Sequence, residues 1–148
     1  MIEVTFALIK SKAIRRNLHA YVLGRIMEHD FIIQRAEWRQ LPLPTIAQFY
    51  AEHQGKPYWD DLQRSVSGHV IALVLSRENA IAEWRGVMGA TDPRKALPGT
   101  LRALAVGEAV MADNIVHGSD SITSADREIR LLFGEHMWRR IKRSADGN

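Results

Sequence analysis

The sequence predicts an α+β sandwich in which four antiparallel strands, in the chain order strand, helix, strand, strand, helix, strand, form one sheet with helices packed on it. Three observations carry this. The apolar spacing switches from a period of two to a period near four just after Lys10. A continuous apolar run, Val70 to Leu75, sits between turn residues, as a strand covered on both faces requires. The third is length: 148 residues, 46% hydrophobic and 25% charged, suit a single domain with one packed core.

Ile2, Val4, Phe6 and Leu8 alternate with Glu3, Thr5 and Ala7, which reads as a half-buried strand ending at Lys10. Ile14, Leu18, Val22 and Ile26 then recur every four residues and predict one amphipathic helix. Phe31 to Trp38 reads as the second strand, and Pro44 fits the first turn of a helix carrying Ile46, Phe49 and Tyr50. A short helical turn is expected around Trp59 to Val66. Gly68 opens the third strand, His69 to Leu75, and Ser76 is placed to cap a helix with Ile81, Trp84 and Met88 on one face and Gly89 just past its end. Ala90 to Thr100 is a long loop, and Leu101 to Asp113 supports no single assignment. A short strand, Asn114 to His117, and a helix from a Ser121 cap to Phe133 complete the order, with Ile122, Ala125, Ile129 and Leu132 facing inward. This is the ferredoxin-like arrangement, with the helices expected on one face of the sheet. The domain is taken to run from residue 1 to 138, with 139–148 as a basic C-terminal tail.

The formal charge of +3 and a pI near 9.5 invite a nucleic-acid reading. Position argues otherwise. Arg139, Arg140, Lys142 and Arg143 face only Asp146 in the last ten residues, so the rest of the chain is formally neutral. Polyanion contact by the tail is kept as a secondary reading. The absence of cysteine excludes disulfides, thiolate metal sites and cysteine nucleophiles. The first residues show no basic leader or cleavage pattern, and no apolar run approaches the roughly 20 residues of a membrane span, so a cytoplasmic protein with no membrane partner is expected.

Walker-type loops, a G-x-G-x-x-G fingerprint and a His-Glu-x-x-His helix are all missing. The strongest local feature is His117-Gly-Ser-Asp-Ser121 between a strand and a helix. From the residues alone it reads equally as an exposed imidazole beside a backbone open to a ligand, or as a turn histidine with Ser119 and Asp120 capping. Glu128, on the following helix, is placed to reach back to the ring.

Asn114-Ile-Val-His117-Gly-Ser-Asp-Ser121 followed by Ser124-Ala-Asp-Arg-Glu128 resembles the active-site signature of the nucleoside diphosphate kinases. Thr5-Phe-Ala-Leu-Ile-Lys10, Phe49-Tyr50-Ala-Glu52-His53, Gly55-Lys-Pro-Tyr58, Trp84-Arg85, Met88-Gly-Ala-Thr91-Asp-Pro93 and Pro98-Gly-Thr-Leu-Arg102 fall in the family's order, so the resemblance spans about Thr5 to Phe133. It implies a ping-pong transfer of the γ-phosphate of a nucleoside triphosphate to a nucleoside diphosphate through a phosphohistidine at His117. Glu128 and Ser119 would orient the ring, with Tyr50 beside it. Lys10, Arg85, Thr91 and Arg102 would hold the phosphates with Mg²⁺, which is bound mainly through those phosphates and not by protein ligands. Asn114 would meet the sugar, and Tyr58, Leu62 and Met111 the base. A homo-oligomer, a hexamer or a tetramer built of dimers, is implied as well, with Trp38, Trp84 and Trp138 as apolar surface for its contacts.

Two segments depart from the family pattern. Ser11-Lys12 stands where Pro-Asp is usual, and the stretch after Arg102 reads Ala103-Leu104-Ala105 with a longer path to Asn114. They motivate the alternative of a divergent nucleotide-binding or scaffold member with weak or no turnover.

Overall fold

The computed structural model describes residues 1–105 and 114–147. Alternation and β-branched residues give strand β1 (Ile2–Ile9), and the chain then turns through α1 (Ser11–Arg15) and α2 (His19–Glu28). The four-residue apolar repeat is therefore cut into two helices. Asn17, at φ 56°, takes a left-handed conformation that a helix interior excludes and that asparagine tolerates. Strand β2 (Ile32–Gln40) leads through α3 (Leu43–Phe49), a 3-10 turn (Ala51–His53) and α4 (Trp59–Ser65) to β3 (His69–Glu78). Helix α5 (Ala80–Met88), 3-10 turns at Pro93–Lys95 and Arg102–Ala105, β4 (Val116–Gly118), α6 (Ile122–Phe133) and α7 (Glu135–Ala145) complete the chain.

The strands lie in the order β2-β3-β1-β4, each pair antiparallel, and the four-stranded antiparallel sheet of the ferredoxin-like class expected from the sequence is present. Helices cover both faces, however, and not one. Ala7 and Ile9 of β1 join α1, α2 and α5 in one core cluster, while Val4, Phe6 and Leu8 join α3, α4, α6 and α7 in a second. Strand β1 is thus buried on both sides where one solvated face was expected, because its small polar member, Thr5, is accommodated without exposure.

Ser76 does not cap α5. The strand continues past it to Glu78, and α5 begins after Asn79, whose own side chain makes no capping bond. Glu3 supplies the acceptor instead: its Oε1 receives the Ile81 N–H at 2.9 Å, a carboxylate at a helix N-terminus placed there by the β1–β3 pairing. At α6 the expected cap is present, with Ser121 Oγ accepting from Ser124 N. Ile122 is 54% exposed and not inward, being the first helical residue and lying beyond the buried stripe of Ala125, Ile129 and Leu132.

Residues 139–145 continue α7, with no change of element at residue 139. Ile141 is buried in the second core cluster, and Trp138 lies under the Arg130 guanidinium, 3.6 Å from the ring centre, while donating to Asp126 at 2.9 Å. Trp84 is fully buried and offers no subunit surface, whereas Trp38 is 54% exposed. Among the described residues no helix is long and apolar enough to cross a membrane.

Ile141→Ala is expected to cost about 2–5 kcal/mol in urea denaturation, the range for truncating a buried isoleucine. A loss below about 0.5 kcal/mol, typical of a solvated position, would show that this end of the chain does not belong to the core.

Candidate functional site

The site is assembled by β4. Its short pairing with β1 sets Leu8 opposite His117 and Ala7 opposite Gly118. Alternation along the strand then turns the His117 side chain to the face of Phe6 and Leu8, and Gly118 to the face of α5. A side chain has no room at Gly118: an added Cβ would lie 2.4 Å from Trp84 Cδ1 and 2.7 Å from Met88 Cε. In that close approach Trp84 Nε1 donates to the His117 carbonyl at 3.2 Å, so the indole fixes the backbone that carries the imidazole.

The ring is held on its other side by a chain of hydrogen bonds. Glu128 Oε2 lies 3.0 Å from His117 Nε2, and Ser119 Oγ donates to Glu128 Oε1 at 2.8 Å. Ser119 Oγ in turn receives the Phe6 N–H at 3.2 Å, and Ser119 N–H donates to the Phe6 carbonyl at 3.1 Å. Glu128 is only 3% exposed, brought inward by the apolar stripe of α6. A carboxylate facing Nε2 places the ring proton there and leaves the Nδ1 lone pair outward. Nδ1 takes no hydrogen bond among the described residues. Phe49, edge-on at 4.9 Å between ring centres, Phe6 at 6.0 Å and Tyr50 at 6.3 Å wall the imidazole.

Basic groups stand near the end of β1 and the start of β4. Lys10, buried at the end of β1, donates from Nζ to Ser65 Oγ at 3.1 Å, and Ser65 passes the bond to the Leu62 carbonyl. Arg102 Nη1 donates to the Gly89 carbonyl at 2.9 Å, while its Nε is buried with no partner among the described residues. Burial, then the nearby Arg85 cation, bring the Arg102 guanidinium down to about 10 against a smaller opposing influence of Tyr50. Tyr50 is itself pushed well above the ordinary phenol range by burial, with Ser65 drawing it back in part. Arg85, Thr91, Lys95, Thr100, Arg102 and Asp120 line a cavity of about 680 Å³ that reaches Gly118. Asp120 is drawn below the usual carboxylate range, first by the Ser124 hydroxyl at 2.6 Å.

Two guanidinium groups facing one cavity, one of them largely desolvated, make a place for a polyanion such as a phosphate chain. A base whose pKa falls on folding destabilises the fold at neutral pH, and that cost is relieved as pH rises through about 10, or at neutral pH by a bound anion.

The structure brings His117, Ser119, Glu128 and Tyr50 together around the ring, and Arg85, Thr91 and Arg102 around the cavity, while the Lys10 ammonium bonds to Ser65. Asn114 is buried, its Oδ1 accepting from Val116 N at 3.2 Å. Leu62 is buried in the second core cluster, and Tyr58 stands 40% exposed at the start of α4 with its hydroxyl 2.9 Å from His53 Nδ1. Met111 lies outside the described residues. Sequence reasoning missed Trp84 as the donor to the His117 carbonyl, Phe6 and Phe49 as ring walls, and Ser65 as the partner of Lys10. The first three carry apolar signals that core packing explains equally well, and Ser65 carries no signal at all.

A family model described as Nucleoside diphosphate kinase matches residues 3–137. A nucleoside diphosphate kinase of Deinococcus radiodurans is 42% identical over 137 residues, covering 90% of this chain and 96% of that one. One of Citrifermentans bemidjiense is 46% identical over 134 residues, with coverage of 90% and 96%. Among solved structures, a halophilic nucleoside diphosphate kinase from Halobacterium salinarum in complex with CDP superposes with a TM-score of 0.84 at 29% identity, covering 93% of this chain and 91% of that one.

Inorganic phosphate at about 100 times its Kd is expected to raise stability by about 2.7 kcal/mol through mass action. Arg102→Gln should remove most of that gain, read as the shift of the thermal midpoint with phosphate concentration. A midpoint that ignores phosphate in the unaltered protein would overturn the anion site.

Proposed function

The chain belongs to the nucleoside diphosphate kinase family, and we propose that His117 is the residue through which its phosphoryl relay runs. The family's reaction moves the γ-phosphate of a nucleoside triphosphate to a nucleoside diphosphate in two half-reactions joined by a phosphohistidine. The observation that carries the assignment is the engagement of Nε2 by a buried carboxylate, which leaves Nδ1 as the attacking nitrogen.

In the first half-reaction the Nδ1 lone pair forms the N–P bond as the bond from the γ-phosphorus to the β,γ-bridging oxygen breaks and the diphosphate leaves. Positive charge then develops on the ring, with the proton still on Nε2. Glu128 offsets that charge across 3.0 Å, and Ser119 keeps the carboxylate aimed. The second half-reaction is the reverse, with another diphosphate accepting the group. Little further covalent chemistry is needed, so the barrier falls through alignment and neutralisation of the phosphoryl oxygens by Lys10, Arg85 and Arg102, with Thr91 as a hydroxyl partner.

Mg²⁺ fits this site through the nucleotide. The nucleotide phosphates would carry it, beside the Asp120 carboxylate that lines the same cavity as Arg85 and Arg102. When bound, it adds positive charge to the phosphate oxygens. Asn114 is assigned to the sugar hydroxyls, and Tyr58 to stacking on the base with Leu62 behind it and Met111 opposite. A flat aromatic platform accepts any base, as a kinase of mixed nucleotides requires. We assign the protein to the cytoplasm as a homo-oligomer, supported by exposed apolar groups along β2 and nearby, Ile32, Trp38 and Leu43 among them.

Incubation with γ-labelled ATP should yield an acid-labile, base-stable phosphoprotein, and His117→Ala should yield none. Glu128→Gln should retain nucleotide binding and lower the rate of phosphoenzyme formation roughly 10²-fold or more. A labelled His117→Ala protein would refute the assignment. Nucleotide binding without any phosphoprotein would favour a binding role without turnover, which Lys12 and the altered segment after Arg102 motivate.

A further inference from the structure

Between the 3-10 turn at Ala51–His53 and helix α4, the chain crosses an open loop in which Gly55 takes φ 81° with no atom near enough to crowd a side chain. Tyr58 closes that loop and leaves its ring 40% exposed. An exposed aromatic on such a loop has several rotamers, and each must be frozen out before a base can stack on it. One contact restrains it here. The Tyr58 hydroxyl lies 2.9 Å from His53 Nδ1, with the two rings 5.6 Å apart and inclined by 60°.

His53 is anchored on its remaining sides. Its Nε2 faces the Glu52 carboxylate at 3.6 Å, a contact too long for a hydrogen bond, and a neutral ring can accept the Tyr58 hydroxyl hydrogen at Nδ1. Its ring lies edge-on to Tyr50 at 6.2 Å, and Tyr50 lies edge-on to His117 at 6.3 Å. Tyr58, His53, Tyr50 and His117 thus form a continuous line of ring contacts from the exposed platform to the imidazole. Among the described residues, the loop tyrosine's side chain is tied to the rigid side of the site through a single hydrogen bond, to His53.

We propose that His53 is a positioning residue for nucleotide binding: it accepts the Tyr58 hydroxyl and holds that ring in the orientation in which a nucleoside base stacks. This rests on the assignment of Tyr58 to the base. His53 touches neither nucleotide nor phosphoryl group, and its contribution is the preorganisation of the platform. The hydroxyl is what makes the arrangement depend on a histidine, since a phenylalanine at 58 would offer nothing for Nδ1 to accept.

Five variants test it, with KM and kcat measured for purine and pyrimidine diphosphates. His53→Ala and Tyr58→Phe should each raise KM about fivefold, the loss of one hydrogen bond of ordinary strength, while kcat stays within about twofold. The double variant should be no worse than either single one, because both remove the same bond. His53→Asn, which sets a carbonyl oxygen near the Nδ1 position, should recover most of the affinity. Additive KM effects, or an unchanged KM in both single variants, would overturn the proposal. Tyr58→Ala separates this from the underlying assignment: a raised KM there with none in His53→Ala leaves the base platform standing and removes His53, whereas an unchanged KM in Tyr58→Ala removes the platform itself.

Discussion

The contact between His117 Nε2 and the buried Glu128 is the constraint on which the site turns, and it depends on parts of the chain far from both residues. Glu128 is tolerable in the core only because Ser119 and the ring share its oxygens. Ser119 is held by the backbone of Phe6, two residues before Leu8, the strand partner of His117. The pairing of β4 with β1 therefore sets the imidazole, the hydroxyl and the carboxylate at once. Gly118 allows that pairing by leaving space for the Trp84 indole, and any side chain there would push the strand away from α5.

Electrostatics follows a different logic from packing. The ring's carboxylate partner is satisfied within the protein, whereas among the described residues Arg85 and Arg102 form no ion pair with an acid. Arg102 is held by backbone carbonyls, which fix its direction and leave its charge unmatched. The fold thus spends stability at one point to keep a cation desolvated and aimed, a cost that a bound anion would relieve. Preorganisation of this kind lowers a phosphoryl-transfer barrier without requiring the protein to rearrange when the nucleotide arrives.

Most of the architecture was legible in the sequence because β1 and β3 announce themselves by alternation and by a continuous apolar run. The break at Asn17 was not, since the repeat of Ile14, Leu18, Val22 and Ile26 continues through it and only backbone geometry shows the turn. Glu3 as a helix cap was equally hidden: it is 78 residues from Ile81, and a local reading favours the nearer Ser76. The site was legible as an ordered set of motifs, of which His117, Glu128 and Ser119 are joined by hydrogen bonds. What the linear order withheld is which atoms face which, such as Nε2 toward Glu128 and the indole of Trp84 toward the His117 carbonyl. Those relations exist only once the strand register is set.

Ile141 shares a core cluster with Val4, Phe6 and Leu8, so the early and late parts of the described chain lie against each other, and β4 must slot beside a strand more than a hundred residues earlier. Such distant pairings bear a large loop-closure cost before any contact rewards it. During synthesis β1 emerges long before β4 and α7, and its Phe6 and Leu8 must wait, partly uncovered, until position 141 has left the ribosome. The arrangement that encloses the histidine thus makes completion of the core a late event in the life of the nascent chain, and exposes an apolar strand to chance partners until then.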